Sequence, residues 1–127
     1  MNVLLRFIAA DVPELGRRAT RLLRRAEDGS IVLHVAGVVV AEIVWVLGSF
    51  YGLERSRIAE TLRSILVAEG LIVEDKDIVL EALRIMGEAN VAYVDAHIAA
   101  RAGRLRQPVA TFDRDFRRLG VDILEGV

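Results

Sequence analysis

The chain contains no cysteine. That excludes disulfides, thiolate zinc sites and cysteine nucleophiles, and it suits a reducing compartment. Lysine is nearly absent as well: Lys76 stands alone, so almost all the positive charge is arginine. No apolar run reaches the length of a membrane span, and the longest, Val35 to Val46, carries Glu42. The start, Met1-Asn2-Val3, has neither a basic leader nor a small-residue cleavage site, so the expected location is the cytoplasm. Gly-x-Ser-x-Gly does not occur, and no glycine-rich loop could cradle a phosphate. Lys76 opens a helix instead of ending a strand, which removes a receiver-type phosphoacceptor site.

What is present is a 127-residue chain, the size of one domain, which buries roughly two thirds of its unfolded surface without a covalent staple. No repeat, linker or low-complexity segment divides it, so residues 1–127 are expected to form a single unit. Its hydrophobic fraction is 54%, high for a soluble domain, and its net charge is -1. The arginines gather at Arg17, Arg18, Arg21, Arg24 and Arg25, and again from Arg101 to Arg118. Such runs fit either a solvated helix face or a phosphate-binding patch.

Asn2 to Ala9 is an apolar run too short to classify by period, either a strand or a helical turn. Asp11-Val12-Pro13-Glu14 reads as a helix start and predicts a helix to about Glu27. A turn at Asp28-Gly29-Ser30 leads to a strand over Ile31 to Val35. Gly37 to Tyr51 is apolar nearly all round and predicts a helix covered on most sides. An amphipathic helix is expected from Glu54 to about Glu69, and a short strand at Leu71 to Val73. Glu74-Asp75 is expected to cap a helix running through Met86. A helix beginning near Tyr93, a buried strand at Pro108 to Thr111, a short helix at Asp115 to Leu119 and a strand at Val121 to Leu124 complete the chain. Alternating helices and short, wholly apolar strands are the pattern of an α/β fold with a parallel sheet covered by helices.

Glu42 is the most informative residue, because a carboxylate inside so apolar a helix is costly to bury unless paired, protonated or bound to metal. An arginine salt bridge or a solvent-facing slot would also accommodate it. Asp95, Asp113 and Asp115 stand at element ends, where a helix cap is the ordinary explanation and where ligands bind beyond the carboxyl ends of parallel strands. Acids at a helix start, a strand end and an apolar helix converge in one crevice only around something positive. A hard divalent cation with oxygen ligands suits a chain without cysteine. His34 and His97 add little: His97 lies two positions from Asp95, on a different side of a helix.

Four segments together resemble a known family. Asn2-Val3-Leu4-Leu5-Arg6-Phe7, Val39 to Leu47 around Glu42, Tyr93-Val94-Asp95-Ala96-His97-Ile98-Ala99 and Ala110 to Phe116 are similar, in order and spacing, to a PIN domain of the VapC toxin type. The likeness covers essentially the whole chain. It implies a three-layer α/β/α fold and a Mg2+- or Mn2+-dependent ribonuclease, the toxin of a toxin-antitoxin pair, held by a cognate antitoxin and usually a homodimer. The implied catalytic and metal-binding residues are Glu42, Asp95 and Asp113, with Asp115 assisting at the metal. Asn2 and Thr111 match supporting positions. Arg104, Arg106 and Arg114 are candidate RNA contacts by their nearness in sequence to the crevice.

The chain departs from the pattern at its start. The family's first Asp falls two positions before Asn2, ahead of Met1, on a central strand that would lie between the Ile31 and Val109 strands. Without it the site loses a ligand and the sheet loses the strand joining its halves. A start assigned too far downstream, a shortened toxin, and replacement of that strand by Met1 to Phe7 all remain open. The competing function is a PIN-like binding module that docks an antitoxin without cleaving RNA.

Overall fold

The computed structural model describes residues 2–124. It is a mostly helical α/β fold with a short parallel sheet. The opening segment resolves as a helix, α1 (Val3–Ala9). Asn2 decides this: its side chain accepts the Leu5 N–H at 2.8 Å, filling the N-cap position, and Leu4 and Leu5 are buried. Residues 3–7 are therefore helical and do not replace a sheet strand.

Helix α2 (Pro13–Glu27) begins with proline in its first turn, where the missing N–H costs nothing. It packs on α1 as a helical hairpin. The hairpin is tied to the end of the next helix, α3 (Gly37–Ser49), by Asp11 in the α1–α2 loop. Asp11 accepts a hydrogen bond from the Tyr51 hydroxyl at 2.5 Å and one from Arg6 at 3.3 Å. The Tyr51 bond, with Arg6 assisting, holds the Asp11 carboxyl below its ordinary range. A lowered native pKa contributes stability above the unfolded carboxylate value of about 3.9, and that contribution disappears as pH falls through the native value. Tyr51→Phe is thus expected to be less stable than the parent at pH 7, with the gap narrowing at pH 3. Urea unfolding at both pH values checks this, and a gap that does not narrow refutes it.

Strand β1 (Leu33–Val35) pairs in parallel with β2 (Leu71–Val73), Leu33 opposite Leu71 and Val35 opposite Val73. The strand expected over 31–35 is shorter, since pairing with β2 begins at Leu33, whose N–H donates to the Gly70 carbonyl at 2.9 Å. Between the two strands run α3 and α4 (Arg55–Leu66); after them come α5 (Lys76–Ala89) and α6 (Tyr93–Leu105). Asp75, expected to cap α5 with its side chain, stands at the N-cap in a left-handed conformation and makes no cap bond. Glu74 instead reaches 37 positions back, accepting the Gly37 N–H at 3.0 Å and so capping α3 from the end of β2.

The strands expected near Val109 and Ile123 reduce to one parallel bridge between those two residues, and the short helix after them is a 3-10 helix, Arg114–Leu119. Among the described residues nothing pairs β1 with Val109, as expected if the strand joining the halves is lacking. The core divides the same way. Leu5, Val40, Ile43, Leu47, Leu62 and Leu83 belong to one large cluster, whereas Ala99, Val109 and Phe116 form a small second one.

Gly70 sets the distance between α2 and the sheet. Its φ of +83° suits only glycine, and a Cβ there would stand 2.1 Å from the Ala26 carbonyl oxygen.

Candidate functional site

Glu42 lies on α3 but is not buried, which corrects the expectation of a helix covered on most sides. Val40, Ile43, Val44 and Leu47 turn inward, leaving a stripe of Val38, Glu42, Trp45 and Ser49 facing solvent. Val38 and Trp45 are 77% and 71% exposed. The carboxylate thus avoids the cost of desolvation, and Glu42 takes no part in an ion pair among the described residues.

Asp95 occupies the first turn of α6 and is half-buried. Ala92, not Asp95, is the N-cap, so the side chain is free of the capping role. Its charge is favoured there by the positive end of the helix dipole. One turn on, the Tyr93 hydroxyl and His97 Nδ1 are 3.2 Å apart, and burial pushes the Tyr93 pKa up to about 12. Helices α3 and α6 pack together, and Ala41 and Val94, sequence neighbours of Glu42 and Asp95, line one groove of about 410 Å3.

Asp113 is exposed and does cap a helix: its side chain accepts the Asp115 N–H at 2.8 Å. Thr111 supports it from the strand side, its Oγ1 accepting the Asp113 N–H at 3.0 Å. Asp115 is exposed in the first turn of the 3-10 helix. Neither Glu42 nor Asp95 nor Asp113 itself lines the α3–α6 groove. Nor does Asn2, whose oxygen caps α1 while its Nδ2 is buried without a hydrogen-bond partner among the described residues.

Among the described residues, no three Asp, Glu or His side chains gather as a group that could hold a metal ion. The donor set in this arrangement therefore does not fit Mg2+, which requires near-octahedral oxygen coordination.

Of the arginines, Arg104 is engaged with Asp77 at 3.2 Å and Arg101 with Asp75 at 3.7 Å. Arg106 closes α6 in a left-handed conformation, and Arg114 is exposed. Sequence reasoning assigned Glu74 to the cap of the following helix and missed its bond to Gly37. The only signal, an acid directly after a strand, does not reveal a partner so distant in the chain.

With the geometry established, comparison with protein families is informative. Residues 2–122 match the family described as PIN domain. The chain belongs to the PIN domain family, whose members are generally nucleases. No curated protein and no solved structure matches it. No helix among the described residues is long and apolar enough to cross a membrane.

Proposed function

We propose that this chain is a ribonuclease of the VapC toxin type, cutting RNA phosphodiesters with Mg2+ or Mn2+ as cofactor and held in check in the cytoplasm by a cognate antitoxin. The family match over residues 2–122 carries this reading. In it the whole chain is one PIN-like unit. Glu42, Asp95 and Asp113 would supply the essential carboxylates by closing together from the separate positions they hold here, Asp115 assists, and Asn2 and Thr111 hold the flanking backbone. Arg106 and Arg114 are more available for RNA than Arg104, which already faces Asp77. Homodimer formation draws support from Val38, Trp45, Val94 and Ile98, an exposed apolar patch across α3 and α6.

A second reading, a PIN-like module that docks an antitoxin without cutting RNA, is favoured by one observation: the described acids do not gather in threes. Incubating the chain with end-labelled RNA in Mg2+, in Mn2+ and in EDTA separates the two. Fragments that appear with either ion and vanish in EDTA are the expected result. Intact RNA under all three conditions, at protein concentrations that bind it, transfers the conclusion to the second reading.

A further inference from the structure

The nuclease reading leaves one charged feature of the molecule unused. Arg17, Arg21 and Arg24 follow one another along α2 at intervals of four and three residues, which places them on one face of the helix. All three are exposed, and they line a groove of about 600 Å3 together with Pro13 of their own helix and with Phe7 and Ala10 from the end of α1. Among the described residues none of the three forms an ion pair, whereas Arg6, Arg84, Arg101 and Arg104 each do. The acids nearest to them on the helix, Glu14 three residues before Arg17 and Glu27 three after Arg24, form no ion pair with them among the described residues, and Asp11 is taken by Arg6 and Tyr51.

A row of like charges along one helix face is mutually repulsive, by a few tenths of a kcal/mol per neighbouring pair. Opposite charge arriving from outside relieves that repulsion. Guanidinium forks pair with phosphate oxygens through two parallel bonds, more specifically than a lysine point charge does. Arg17 to Arg24 span roughly 10 Å along the helix at about 1.5 Å per residue. At about 3.4 Å of rise per stacked nucleotide, that is the length of roughly three phosphates. Phe7, from α1, adds an aromatic face to the arginine row, a combination typical of single-strand binding.

We infer that the α1–α2 groove is a binding track for the backbone of single-stranded RNA, gripped by Arg17, Arg21 and Arg24. This rests on RNA being the substrate, as proposed above, and moves the main backbone contact from the α6 arginines to α2.

Fluorescence anisotropy of a 5′-fluorescein single-stranded RNA 20-mer, in EDTA and from 50 to 200 mM KCl, tests it. Neutralising three phosphate contacts contributes about 0.7 each to the slope of log affinity against log salt. R17Q/R21Q/R24Q is therefore expected to bind at least about tenfold more weakly at 50 mM KCl, with the slope reduced by about 2. R17K/R21K/R24K keeps the slope. R21Q alone reduces it by about 0.7 and serves as the readout should the triple variant lose its helical circular dichroism. Wild-type binding that R21Q and the triple variant leave unchanged overturns the track alone. Failure of the wild type to bind RNA overturns the RNA-substrate reading and the track with it. Loss of binding to a labelled polyglutamate peptide, with RNA affinity intact, assigns the groove to an acidic protein segment and also overturns the proposal.

Discussion

Glu42→Gln and Asp95→Asn are each expected to lower RNA cleavage by about 100-fold or more, the usual cost of removing a charged group that acts in the transition state. Neither change should unfold the protein. Glu42 is exposed, so an isosteric amide there shifts stability by no more than about 0.5 kcal/mol. Asp95→Asn gives up only a favourable interaction with the start of α6, about 0.3–1 kcal/mol. Asp113→Asn is a demanding companion because asparagine caps a helix as well as aspartate does. Its local hydrogen bond to Asp115 survives, so lost cleavage in that variant reports charge and not structure. Gel-resolved cleavage rates beside thermal melts of the same preparations check all three. Parent-like cleavage by folded Glu42→Gln or Asp95→Asn removes that residue from the proposed site.

The second large effect concerns stability. Gly70→Ala places a methyl group 2.1 Å from the Ala26 carbonyl oxygen and 2.4 Å from its carbon, at a φ of +83°. Both obstacles are backbone, which cannot rotate aside as a side chain does. The end of α2 must retreat from β2, or the Leu33 N–H to Gly70 carbonyl bond that starts the sheet must stretch from 2.9 Å. The expected loss is about 3 kcal/mol or more, enough to lower the melting temperature by roughly 10 °C. Gly29→Ala is the control: its φ is +87°, but a Cβ there meets nothing within 4 Å. That variant carries only the left-handed strain, about 1 kcal/mol. If calorimetry finds the two variants equally destabilised, the close approach of Ala26 plays no part.

Much of this architecture was legible because it is local. Pro13 after Asp11, the turn at Gly29, and the spacing of Ile58, Leu62 and Leu66 each specify an element within a few residues, and the helices lie within a few residues of where they were expected. Leu71–Val73 was bounded correctly by Gly70 and Glu74. What sequence hid was long-range. The apolar composition of α3 suggested burial, yet period alone cannot say which side is covered, and Val38 and Trp45 face solvent. Asn2 to Ala9 was ambiguous until the Asn2 cap identified a helix. Glu74 bonding Gly37 depends on β1 and β2 lying side by side, which no local pattern encodes. For the site, the local helix and strand pattern placed Asp95 and Asp113 at element ends, where the structure has them, but whether they converge with Glu42 depends on the position of the Val109 segment relative to the sheet.

The divided interior has a consequence for how the molecule opens. Ile85 and Leu119 are the residues that pack against both clusters, so few apolar contacts hold the Val109 and Phe116 region to the rest. Units joined so sparingly open below the free energy of global unfolding. Amides from Val109 through Leu119 should therefore exchange with heavy water well before those of α4 and α5. The aspartate at position 113 sits on a hinged panel, able to swing while the main body stays shut.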